Sequence, residues 1–213
     1  MGGGRRRKRR AVRRTAEESI CQPEWSPAGV LHFVSDSSGW WNLYRLVEGA
    51  VQPLCKRAAE FGAPHWTFGN SMYGFRPNGD IACTFIENGV SRLAIISAES
   101  GKLEPVANPY QEIRELRVAR SSLALLGGAP DLPLELARID LINGRREVLA
   151  HSIPQLPPAG YLSIPESITY PSTGGRTAHA FHYAPRNADV EAPAGGKPPL
   201  IVIGHGGPTG MAT

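Results

Sequence analysis

No stretch of this sequence approaches the roughly twenty consecutive apolar residues that a membrane-spanning helix needs. The longest apolar run, Leu200 to Ile203, has only the length of a strand. A soluble protein without a membrane partner is expected. Cysteine is scarce: Cys21, Cys55 and Cys83 are odd in number and form no Cys-x-x-Cys pair. That argues against a disulfide framework or a zinc site and for reduced, structural thiols in a cytoplasm. A secretory signal is missing too. It would need an apolar run of roughly 7 to 15 residues behind a basic stretch, and Ala11-Val12 is all that follows here. A cytoplasmic location is therefore expected. The myristoylation pattern fails because position 6 is Arg6 where Ser or Thr is required.

Positive charge is concentrated at one end. Arg5, Arg6, Arg7, Lys8, Arg9, Arg10, Arg13 and Arg14 are eight of the 23 basic residues. Without them 15 basic residues face 19 acidic ones, a balance of −4. The body of the chain is thus mildly acidic, and a nucleic-acid partner is not expected for it. Residues 1–19 read as a basic, disordered, solvated tail, without apolar periodicity. Nucleic-acid binding through that tail is the lesser reading, and it predicts an affinity that collapses with salt.

The middle of the sequence repeats a grammar of short apolar runs and tight turns. One unit opens Pro23-Glu24-Trp25-Ser26-Pro27 and continues through Leu31 to Val34, the turn Asp36 to Gly39, a strand at Trp41 to Leu46, and Val51 to Leu54. A second opens Pro64-His65-Trp66. It continues through Pro77-Asn78-Gly79-Asp80, a strand from Ile81 to Ile86, the turn Glu87-Asn88-Gly89, a strand from Arg92 to Ser97, and Ser100 to Val106. A third runs Ile113 to Val118, Ser122 to Leu126, Leu134 to Leu141, the turn Asn143-Gly144, and Arg146 to Leu149. Asn-Gly turns accept the positive φ angles of tight hairpins, so each unit predicts about four antiparallel strands. Four strands per repeat indicate propeller blades. The expected fold class is mainly β: a partial β-propeller of about three four-stranded blades over residues 20–152, too few to close a ring.

The grammar changes where Pro154, Pro157, Pro158 and Gly160 crowd together, and residues 153–162 are expected as a linker. Beyond it, Ser167 to Tyr170 and Thr177 to Tyr183 predict a hairpin around Ser172-Thr173-Gly174-Gly175. Leu200-Ile201-Val202-Ile203 reads as a strand buried on both faces of an α/β sheet. Residues 163–213 are thus expected to hold the first strands of an α/β-hydrolase domain.

That last strand runs into His205-Gly206-Gly207-Pro208-Thr209, which resembles the oxyanion-loop segment of the prolyl oligopeptidase family, in its acylaminoacyl-peptidase-like and dipeptidyl-peptidase-like branch. Trp25-Ser26-Pro27, Phe33 to Asp36 and Gly39 to Tyr44 resemble the propeller of the same enzymes, so the likeness covers about residues 20 to 213. It implies serine-peptidase chemistry on peptides or acylated amino acids, with a propeller that filters substrates and no metal or organic cofactor. Gly206 and Gly207 become the oxyanion-loop candidates, because glycine amides approach a substrate closely. His205 is expected to organise that loop; the triad base of an α/β hydrolase comes after the serine and the acid.

A Gly-x-Ser-x-Gly nucleophile elbow occurs nowhere in the sequence, so the catalytic triad is expected beyond Thr213 and the chain is expected to be inactive alone. The nearest imitation, Ser71 in Gly69-Asn70-Ser71-Met72-Tyr73-Gly74, has the wrong spacing and reads as a blade turn. His179 and His182, three apart on a strand, point to opposite faces and make a poor metal pair. Trp40, Trp41 and Tyr44 are expected to pack between blades rather than to form a stacking platform. Glu17-Glu18, which resembles the paired glutamates of dipeptidyl peptidases, reads as a solvated pair. A stand-alone propeller-type binding module without catalysis is the alternative to the peptidase reading. Oligomeric state is left open.

Overall fold

The computed structural model describes residues 17–66 and 68–206. The calls on residues 1–16 and on Gly207 lie outside the described residues. Among the described residues the strands form three four-stranded antiparallel meanders and one hairpin. The first sheet is β1 (Ile20–Trp25), β2 (Leu31–Ser35), β3 (Asn42–Val47) and β4 (Ala50–Cys55), with the strands side by side in chain order. The second is β5 (Tyr73–Phe75), β6 (Ile81–Glu87), β7 (Val90–Ile96) and β8 (Leu103–Pro105). The third is β9 (Glu112–Ala119), β10 (Ser122–Ala129), β11 (Leu132–Asp140) and β12 (Arg146–His151). Sheets of four sequential strands stacked face to face are open propeller blades, as the repeat predicts.

Turn chemistry fixes the register. Val47 pairs with Ala50 across Glu48-Gly49, and Glu87 with Val90 across Asn88-Gly89. All four turn residues have positive φ, between 50° and 84°, which is the type I′ geometry whose twist matches the flanking strands. The core then follows from period-two alternation. In β6, Ile81, Cys83 and Phe85 point into one cluster with Val34, Leu43, Phe61 and Tyr73. Ala82, with Leu93 of β7, points into another with Ile113, Leu116, Leu123, Leu125 and Ile139. The middle sheet is therefore covered on both faces, and Ile81 to Phe85 of β6 are all buried, Thr84 among them.

Blade-to-blade contacts are also polar. Gln22 sits in a bulge of β1 with a φ of 45°. Its buried amide donates to Tyr73 O at 2.8 Å and accepts from Met72 N at 2.8 Å, while Tyr73 OH donates to Gln22 O at 2.7 Å. One side chain thus extends the backbone pairing of one sheet to the next.

Residues 153–165 carry no strand, only a 3-10 turn at Ala159–Tyr161. The expected hairpin follows as β13 (Glu166–Pro171) and β14 (Thr177–His182). It rests against the second sheet, where the Phe181 ring lies so close to Gly89 that a Cβ built there would stand 2.8 Å away.

Several expectations need correction. Leu200–Ile203 is not a buried strand: it belongs to no strand and its residues are 81–87% exposed. An apolar run becomes a strand only where neighbours supply hydrogen bonds, and no strand lies beside it among the described residues. Trp41 packs against the first core cluster and Tyr44 is buried, but Trp40, at the end of the β2–β3 turn, is 43% exposed. Glu18 is not simply solvated, since its carboxylate accepts the Ser35 hydroxyl at 2.5 Å. The three cysteines are free thiols. Cys21 and Cys83 lie in the first core cluster with Cys55 packed against it, and burial pushes the Cys21 thiol up to about 12.

Candidate functional site

A cavity of about 450 Å3 opens where four parts of the chain converge, one of them the β6–β7 hairpin with Ile86 and Ser91. The β4–β5 connection supplies Gly62 to Pro64, Trp66, and Asn70 to Met72. The entry of β9 supplies Glu112 to Glu115, and the C-terminal segment supplies His205 and Gly206. This volume is in the range of small-molecule sites, about 300–1,000 Å3.

Backbone pairing holds the walls. Leu116 N donates to Ser71 O at 3.0 Å and Ser91 N to Gln111 O at 2.9 Å, which ties β9 to the second sheet. β9 carries a bulge, and Glu115 within it has a φ of 54°. Two ion pairs follow one another along the strand entry, Glu112 with Arg114 and Glu115 with Arg117 at 3.0 Å. The polar lining is thus mixed in sign. At Gly206 a built Cβ would meet nothing within 4 Å, so the backbone there is open to an approaching group.

Ser71 lines the cavity, yet its hydroxyl donates to Tyr73 O at 3.1 Å and accepts from Gln22 Nε2 at 3.2 Å. Those bonds fit a turn leading into β5. His179 faces Thr169 across the hairpin, its Nδ1 at 3.2 Å from the hydroxyl, and His182 pairs with Glu166 in the register; neither reaches the cavity. Glu17 and Glu18 lie before β1 and are not part of the cavity lining. Sequence reasoning missed the walls. Trp66 stood out only as a repeat marker, and nothing local singles out Glu112 to Glu115.

No family model matches the chain, and no curated protein does. Solved structures do. A puromycin-hydrolyzing peptidase of Mycobacterium tuberculosis is 32% identical over 89% of this chain, with a TM-score of 0.83. A puromycin hydrolase is 35% identical over 93% of it, with a TM-score of 0.85. The fold is shared more distantly with prolyl oligopeptidase B from Galerina marginata, at 11% identity over 81% of this chain and a TM-score of 0.62. The chain belongs to the prolyl oligopeptidase family of peptidases. It spans about three-tenths of the two puromycin-hydrolyzing relatives, 29% and 30% of their lengths. For a prolyl oligopeptidase-family chain, the three open sheets are the propeller, and the cavity lies where that propeller meets the segment ending in His205-Gly206.

Proposed function

We propose that this chain is the gating and oxyanion-loop portion of a serine peptidase that hydrolyses peptide or acyl-amino-acid bonds. In this reading residues 20–152 are propeller blades that filter substrates, 153–162 are a linker and 163–213 open an α/β-hydrolase domain. The observation that carries it is the convergence of His205 and Gly206 with the β9 entry and the β4–β5 connection on one cavity. Backbone amides of Gly206 and Gly207 would donate to the oxyanion formed when the substrate carbonyl is attacked, with His205 organising the loop. Such donors are each worth about 100- to 1,000-fold in kcat. The nucleophile, acid and base come from elsewhere, because the sequence holds no Gly-x-Ser-x-Gly elbow. The relatives' names make puromycin, an amide joining an aromatic amino acid to an aminonucleoside, the first substrate to try.

The test is a chimera in which this chain replaces the matching stretch of puromycin hydrolase. The chimera is expected to hydrolyse puromycin, and Gly206→Pro or Gly207→Pro, which delete one N–H each, to lower kcat about 100-fold or more with little change in KM. The isolated chain is expected to show no turnover and no labelling by a fluorophosphonate. Labelling of the isolated chain, or full kcat in both proline variants, would overturn the reading.

A further inference from the structure

The connection from β4 to β5 is braced at both ends while it holds aromatic surface out in water. On its first leg Phe61 N donates to Trp41 O at 2.6 Å, and Glu60 exchanges two 2.9 Å backbone bonds with Ile86. On its second leg Arg117 Nη2 donates to Gly69 O at 2.6 Å, alongside the Leu116–Ser71 bond. Asn70 Nδ2 reaches Pro64 O at 3.5 Å across the base. Between the legs Trp66 is 68% exposed. The indole thus offers a large apolar face to solvent from a loop, the kind of segment that carries binding residues. Trp66 lines the same cavity as His205 and Gly206, with the Glu112–Arg114 ion pair as a polar rim.

We propose that Trp66 is a stacking platform for an aromatic ring of the ligand in this cavity, so that the site selects amides bearing a flat aromatic or heteroaromatic group. This rests on reading the cavity as the substrate site. The indole gives a rigid π face at low entropic cost, because only two torsions need fixing. A ligand without a ring gains nothing from it.

The experiment is calorimetric titration of the chain with puromycin and with trialanine amide, a peptide that carries no ring. Puromycin is expected to bind the wild-type chain. Trp66→Ala is expected to weaken it about tenfold or more, with trialanine amide unaffected and Trp66→Phe restoring most of the loss. Trp25→Ala is the control, since that indole is equally exposed at 68% but lies outside the cavity lining. Equal puromycin affinity in wild type and Trp66→Ala, or an equal loss in Trp25→Ala, overturns the stacking role and leaves the substrate-site reading standing. Binding of neither ligand by the wild-type chain overturns both.

Discussion

Gln22 shows how a single side chain can do the work of a strand. It accepts from the buried Met72 N and shares Tyr73 O with the Ser71 hydroxyl, so truncation orphans the Met72 N–H. Gln22→Ala is expected to lower the unfolding free energy by about 1–3 kcal/mol, read from urea denaturation, because that is roughly what one buried polar group without a partner costs. His32 in β2 acts through its protonation state. Burial holds its pKa below the ordinary 6.5, the bond to Val30 O opposes that, and the Arg45 charge adds to it. The unfolded chain therefore takes up a proton at a pH where the folded one does not. The stability His32 allows is complete above about pH 6.5 and is lost as the pH falls below that value toward the lower folded pKa. The unfolding free energy from urea denaturation should fall between pH 7 and pH 5 more steeply in wild type than in His32→Asn, by at most about 1.4 kcal/mol per pH unit. Equal slopes would remove His32 from the account.

At the scale of elements, two glycines in similar turns are expected to behave differently. Gly144 has a φ of 72° with nothing within 4 Å of a built Cβ, whereas Gly89 has a φ of 77° and faces the Phe181 ring. Gly144→Ala carries only the backbone strain, about 1–2 kcal/mol. Gly89→Ala adds a collision that pushes β13–β14 off the second sheet. Hydrogen exchange should thus accelerate in β13–β14 for Gly89→Ala and not for Gly144→Ala. These turns were legible in the sequence because Asn-Gly chemistry is local: the dipeptide contains the reason for the bend. β1 and β5 were not, since Gln22 and Pro23 interrupt the alternation of β1 and β5 is three residues long. The site divides in the same way. His205-Gly206-Gly207 is a contiguous motif and can be read, but the wall that His205 and Gly206 meet comes from Gly62 to Pro64, Trp66, Asn70 to Met72, Ile86, Ser91 and Glu112 to Glu115, which only the stacking of sheets brings near. Leu200–Ile203 failed in the opposite sense, because apolar character reports a wish for burial and not the presence of a partner.

For the whole molecule, that exposed tetrapeptide sets the colloidal behaviour. Four aliphatic residues more than 80% exposed, with unpaired backbone, form a sticky edge. The isolated chain is expected to self-associate on size-exclusion chromatography, and Ile201→Asp with Ile203→Asp to shift it toward monomer; a sharp monomer peak in wild type would contradict this. The two-sided burial of the middle sheet bears on how the molecule yields under load. The first and third sheets each share one cluster with it, and it alone shares two. Drawn apart by its ends in an optical trap, the chain should come undone leaf by leaf, the outer leaves peeling first in separate small rips. The middle leaf would hold until it has lost a cover, which makes it the spine of the book.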